Sequence, residues 1–268
     1  MRRKPVTLHD DSAILRQGPQ RIDSSECRAV VDQIVSRLDS AFGDSVIAIG
    51  LYGSTAREAD RDFSDIEMFC VLRNPGYDRR PEWVFGKGKA EVELFGEDVI
   101  RQRSALLDEV WPVTHAVFAN PKRIKGEPAF FAELRRLVYD HTEAQFHDVI
   151  REIIVAELYE GVGKVRNSML DLTYASLPRM TMRIAIMAEL MVGLAHKQIY
   201  TAAALATAES IKLTPRPASN DELCTMVSRG ELSDPNRISD VVERYWKSVI
   251  DWAAAEHIEL APVSNWPF

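Results

Sequence analysis

Cysteine is scarce in this chain: three among 268 residues, Cys27, Cys70 and Cys224, with no CxxC spacing. That excludes a disulfide framework, and the apolar surroundings of all three mark them as reduced core thiols. The six histidines are scattered without an HExxH pair, which argues against zinc. No GxSxG elbow is present, so Ser54 is not read as a nucleophile. Gly86-Lys87-Gly88-Lys89 lacks P-loop spacing and reads as a hairpin turn. No run of about eighteen apolar residues occurs, so no membrane span is expected. The basic start, Met1 to Pro5, leads into polar residues and not into the apolar stretch of a signal peptide. Positive charge is also in deficit, 33 Lys and Arg against 40 Asp and Glu, for a net charge of −7. A nucleic-acid backbone calls for a basic stripe, so that partner is not expected. An acidic cleft suits a cationic small molecule instead. These absences describe a cytoplasmic protein without a nucleic-acid or membrane partner.

What is present is ordinary globular material, 46% hydrophobic and 27% charged. Residues 1–23 lack periodicity and read as an N-terminal arm. From Ser25 to Phe42, Val30, Val31, Ile34, Leu38 and Phe42 recur at helical spacing, with Ser24 or Ser25 as N-cap and Gly43 as stop. Strand-like runs follow at 45–52, 65–72 and 89–95, then a helix over 97–109. Beyond residue 127 helical patterns dominate, at 128–140, 142–170, 178–198, 200–212, 219–229 and 236–256. Strands followed by helices predict an α+β chain. Its first domain, 24–126, would carry a mixed sheet with flanking helices, and its second, 127–268, a helical bundle.

The most informative stretch joins Leu51-Tyr52-Gly53-Ser54-Thr55-Ala56-Arg57 to Ser64-Asp65-Ile66-Glu67-Met68. Residues i and i+2 of a strand share a face, so Asp65 and Glu67 project side by side. Crowded carboxylates repel, and Mg²⁺ relieves them while bridging to phosphates. The Gly53-Ser54 turn offers backbone N–H groups and a hydroxyl to those phosphates, with Arg57 beyond it. Asp-x-Glu alone also describes a solvated strand face. Here the apolar run Met68 to Leu72 and the upstream Gly-Ser turn favour a buried strand and a Mg-nucleotide site.

This pattern resembles the nucleotidyltransferase superfamily that includes DNA polymerase β-like enzymes. More closely, the chain is similar to the aminoglycoside 4'-O-nucleotidyltransferases (kanamycin nucleotidyltransferases). Besides the Gly-Ser and Asp-x-Glu segments, the likeness rests on Trp111-Pro112-Val113-Thr114-His115, Glu143-Ala144-Gln145-Phe146-His147-Asp148 and Gly163-Lys164-Val165-Arg166-Asn167. It continues through Gly230-Glu231-Leu232-Ser233-Asp234 to the terminal Pro267-Phe268, and so runs from about Ser25 to the C-terminus.

The resemblance implies transfer of AMP from Mg-ATP to the 4'-hydroxyl of aminoglycosides such as kanamycin, tobramycin and amikacin, releasing pyrophosphate and conferring antibiotic resistance. Asp65 and Glu67 would hold the metal, and Gly53, Ser54, Arg57, Ser64 and Lys164 the nucleotide. Glu91 falls at an acidic active-site position of these enzymes, and Glu93 replaces a residue that is usually neutral there. Glu157, Glu160, Lys164 and Asn167 share one helical face. Read alone, Glu160 and Lys164 are an i,i+4 ion pair on a solvated helix. The resemblance makes Glu160 the general base and Lys164 a phosphate contact, with Glu91, Glu157 and Glu160 toward the substrate. Ala156 stands where the family often has a second glutamate. The resemblance also implies a homodimer with composite active sites. The alternative is an adenylyltransferase of the same superfamily that acts on a protein or another small molecule.

Overall fold

The computed structural model describes residues 11–59 and 61–260. The basic start and the terminal Pro267-Phe268 lie outside the described residues. In chain order the elements are α1 (Asp11–Gln17), α2 (Ser24–Phe42), β1 (Val46–Tyr52), a short α3 (Gly53–Ala56), β2 (Ile66–Leu72), β3 (Asp78–Arg79), β4 (Glu82–Phe85) and β5 (Gly88–Gly96). Then come α4 (Glu97–Ser104), the short α5 (Trp111–Thr114) and α6 (Ala116–Ala119), β6 (Lys122–Lys125) and α7 (Pro128–Tyr139). The remainder is helical: α8 (Glu143–Glu152), a π-helical segment Ile153–Leu158, α9 (Tyr159–Leu170), α10 (Leu177–Ala195), α11 (Ala206–Ser210), α12 (Asn220–Ser228) and α13 (Pro235–Ala255). The α+β class expected from the sequence is thus borne out. Among the described residues, no helix is long and apolar enough to cross a membrane.

Two compact units divide the chain, Met1–Ala105 with Val117–Val138, and Leu106–Ala116 with Tyr139–Phe268. The first is built on a mixed sheet of order β3-β5-β2-β1-β6, with β4 also paired to β5. Strand β2 runs antiparallel to β1 and parallel to β5. Alternation with period two sends Ile66, Met68 and Cys70 of β2 and Ala90, Val92 and Leu94 of β5 into one core with Val31, Ile34 and Leu38 of α2. The opposite face therefore receives Glu67, Glu91 and Glu93. Helix α2 starts one residue earlier than expected, because Asp23 and not Ser24 or Ser25 is its N-cap. The Asp23 carboxylate accepts from the Glu26 N–H at 2.9 Å, and the Glu26 side chain accepts from the Asp23 N–H at 3.2 Å.

The second unit packs Trp111 edge-on against Phe146, with ring centroids 5.4 Å apart, and buries Ile150, Leu158, Val162, Ile184, Leu223 and Tyr245. Several helices differ from expectation at their ends. The helix read over 97–109 closes at Ser104, whose hydroxyl turns back to the Ile100 carbonyl at 2.7 Å. The pattern read over 142–170 as one helix is interrupted by the π turn, which leaves the apolar periodicity nearly intact. The stretch 200–212 holds only a 3₁₀ turn and α11.

Gly50 of β1 faces Phe69 of β2, and a Cβ there would lie 2.4 Å from that fully buried ring. Gly50→Ala is therefore expected to cost about 1–3 kcal/mol through overpacking, read as a lower urea midpoint with an unchanged m-value.

Candidate active site

Gly53 ends β1 in the left-handed region, at φ 70°. A Cβ on it would lie 1.7 Å from Glu67 Oε2, so the turn is shaped around that carboxylate. Ser54 and Thr55 follow in α3, and the Ser54 carbonyl accepts from the Arg57 and Ala59 N–H groups. The Thr55 hydroxyl donates to the Asp65 carbonyl at 3.2 Å, which ties the Gly-Ser turn to the entry of β2. Ser64 accepts through Oγ from the Arg61 N–H at 2.9 Å. Asp65 lies one residue before β2, and Glu67 is its second residue. Gly53, Ser54, Arg57, Ser64, Asp65 and Glu67 all lie in the first unit, on the turn, loop and strand between Gly53 and Glu67.

The parallel register sets Glu67 directly opposite Glu91, and the antiparallel register sets Tyr52 opposite Glu67. Burial and the charges of Asp65 and Glu91 push the Glu67 carboxyl up to about 7, against the pull of Arg57 and Lys89. Burial alone would raise Glu91 as well, but its hydrogen bonds reverse that, and its carboxyl lies below the usual range. Arg80 Nη2 reaches both Glu91 oxygens, at 2.9 and 2.8 Å, the Tyr52 hydroxyl donates at 2.8 Å, and Lys89 stands at 3.3 Å. Tyr52 is placed to donate to Glu93 also, at 2.9 Å. Burial, the larger effect there, leaves the Glu93 carboxyl above its ordinary value. Tyr52 and Arg80 were not among the expected site residues. Tyr52 was legible from strand alternation, whereas Arg80 reaches Glu91 from a loop that no periodicity marks.

Among the described residues, no group of three or more His, Cys, Asp or Glu side chains is arranged to hold a metal ion. Asp65 and Glu67 nonetheless fit a hard cation of the Mg²⁺ kind. They are oxygen donors on adjacent same-face positions, and Glu67 is a half-buried carboxylate with the charges of two others beside it.

Glu157, Glu160 and Lys164 lie in the second unit. Glu160 and Lys164 form an i,i+4 ion pair at the start of α9, both well exposed. The Lys164 ammonium holds the Glu160 carboxyl below its usual range. Glu157 sits within the π segment and accepts from Arg183 of α10, through Nε at 2.8 Å.

Residues 128–259 match the KNTase C-terminal domain. Two proteins named aminoglycoside nucleotidyltransferase (4'), one from a Bacillus species and one from Staphylococcus aureus, are each 32% identical to this chain over 235 residues. The alignments cover 88% of this chain and 93% of each relative. The chain belongs to the aminoglycoside 4'-nucleotidyltransferase family. The resemblance read from the sequence segments is thereby borne out. The crystal structure of a nucleotidyltransferase-like protein from Exiguobacterium sibiricum is similar with a TM-score of 0.53 at 9% identity, covering 84% of this chain and 76% of that one. That likeness is one of fold.

The position of Glu67 sets a pH dependence for the metal-free protein. Its folded pKa of about 7 exceeds the ordinary 4.5, so the folded chain holds the extra proton across that window. Stability is then greatest below the lower value and falls as pH rises through the upper one. Urea midpoints measured from pH 4.5 to 8 should show this decline, and Glu67→Gln should flatten it.

Proposed function

We propose that this protein transfers AMP from Mg-ATP to the 4'-hydroxyl of an aminoglycoside and releases pyrophosphate, which inactivates the antibiotic. The observation that carries the reading is the pairing of Asp65 and Glu67 behind the Gly53-Ser54 turn, in a chain of the aminoglycoside 4'-nucleotidyltransferase family. Asp65 and Glu67 would hold the cation. When bound, that cation supplies charge neutralisation on the triphosphate and polarisation of its α-phosphorus.

The chain's own groups do the rest. Gly53 and Ser54 offer backbone donors and a hydroxyl to phosphate oxygens, and Arg57 and Ser64 flank them. Glu160 takes the proton of the attacking hydroxyl, and its pairing with Lys164 keeps it in the ionised, proton-accepting form at neutral pH. A new bond forms between the sugar oxygen and the α-phosphorus, and the bond to pyrophosphate breaks. Lys164 then stabilises the charge on the phosphate oxygens. Glu91 and Glu157 would receive the substrate's ammonium groups. Each now accepts from an arginine, Arg80 and Arg183 respectively, so an ammonium bound there takes over hydrogen bonds that a guanidinium fills. The acidic balance of the chain favours such a polycationic substrate. The proposed assembly is a homodimer in which Glu160 and Lys164 of one chain complete the other chain's site, and the proposed compartment is the cytoplasm.

Pyrophosphate release with kanamycin, in the presence of ATP and Mg²⁺, is the direct test. A 4'-deoxy aminoglycoside should bind and not be modified, because the attacking oxygen is gone. Adenylylation of that compound at the kanamycin rate would move the reaction to another hydroxyl.

The shared site has its own test. Asp65→Asn and Glu160→Gln chains, each expected to lose at least about a hundredfold in kcat, should regain partial activity when mixed. One site of the mixed dimer then contains both intact halves. No recovery, with subunit exchange demonstrated, would place the whole catalytic set in one chain.

A further inference from the structure

Residues Gly18 to Asp23 fall in the stretch expected to be an arm, yet they are bonded to the sheet's site end. The Gln20 N–H donates to the Lys87 carbonyl at 2.8 Å, and the Ile22 N–H donates to the Asp62 carbonyl at 2.8 Å. Ile22 is buried, with 5% of its surface exposed. Arg21 pairs with Asp62 at 3.2 Å, and Lys87 with Glu26 at 2.6 Å. Lys87 belongs to the turn that leads into β5, and Asp62 to the loop that leads through Ser64 and Asp65 into β2.

Strands β2 and β5 are parallel and in register, so both begin at the same end of the sheet. Asp65, Glu67 and Glu91 cluster at that end, in the first residues of the two strands or just before them. One short segment is thus fastened to both strand entries. Within the loop, Arg61 and Ser64 bond only to each other among the described residues, through Ser64 N–H to the Arg61 carbonyl and Arg61 N–H to Ser64 Oγ. Among the described residues, its ties to the rest of the unit on this side come from Arg21 and Ile22. The Arg21 pair is exposed and contributes little. The backbone bond carries the attachment, and burial of the Ile22 side chain holds the segment that makes it in place.

We infer that Gly18–Ile22 is a positioning strap: it fixes the Arg61–Ser64 loop, and with it Asp65, in the conformation that receives the metal-bound nucleotide. Ile22 and Gln20 touch no substrate in this scheme and act through Asp62 and Lys87. The inference rests on the proposed nucleotide site. It assigns the strap to the nucleotide half of that site, and the aminoglycoside half is left to other residues.

The test uses the full chain with Ile22→Ala, which removes the buried side chain, and Gln20→Pro, which removes the donor to Lys87. Ile22→Leu serves as the conservative rescue and Arg21→Ala as the exposed control. Hydrogen exchange of the 61–66 amides in the free protein should accelerate at least about tenfold in the first two variants. KM for Mg-ATP should rise about fivefold, while KM for kanamycin stays within about twofold, because only nucleotide positioning is loosened. Ile22→Leu and Arg21→Ala should behave like the parent chain. Unchanged exchange overturns the strap, however active the enzyme. Faster exchange with both KM values unchanged, or both raised equally, overturns its link to nucleotide. If the parent chain consumes no Mg-ATP while exchange still accelerates, the strap stands as a loop anchor, and both the reading of the site and this nucleotide role fall.

Discussion

Like charges held in register are the constraint around which the first unit is organised. The hydrogen-bond ladder between two parallel strands fixes Glu67 beside Glu91, and chain continuity brings Asp65 two residues from Glu67. The backbone positions of Glu67 and Glu91 cannot part without breaking the ladder between β2 and β5. The structure answers in two ways. Glu91 is neutralised internally by Arg80, Lys89 and the Tyr52 hydroxyl, so that it behaves as a fixed ionised group. Among the described residues Glu67 has no such hydrogen-bonded partner, and burial together with the charges of Asp65 and Glu91 pushes its carboxyl up. The same strand alternation that creates the crowding also provides its foundation, since Ile66, Met68, Ala90 and Val92 on the reverse face are packed against α2.

Much of this arrangement is legible in the residues. The alternation at 65–72 and 89–95 places the acidic side chains on one face, and the Gly-Ser turn announces a close backbone approach that the Gly53 geometry bears out. The capping box at Asp23 was equally available, as an aspartate with Glu26 three residues on, but two adjacent serines offered competing caps. The pairings that were not legible depend on tertiary register. Nothing local says that Arg80 turns inward to Glu91, or that a stretch without periodicity before Asp23 lies across two strand entries. Such contacts are carried by backbone groups and single side chains, which leave no repeating pattern.

Helix ends were the least legible feature. Ser104 closes α4 with its own hydroxyl, and the loop from Ile199 to Leu205 holds its shape through bonds such as that of the Tyr200 hydroxyl to the Glu189 carbonyl. These are side-chain hydrogen bonds to backbone carbonyls that compete with the helical ladder and leave no periodic pattern in the sequence.

The π segment at Ile153–Leu158 has a consequence for how this chain can change over time. A π turn takes up one residue more than an α turn and lets the helix resume on either side of it. Loss of one residue within the segment would therefore close it into regular α geometry and leave Tyr159, Glu160 and Lys164 facing as they do. Closure at unchanged length would instead turn all three together by about 100° around the axis. A single-residue deletion is thus absorbed more readily here than in the flanking α turns, where it would swing every later side chain by that same angle.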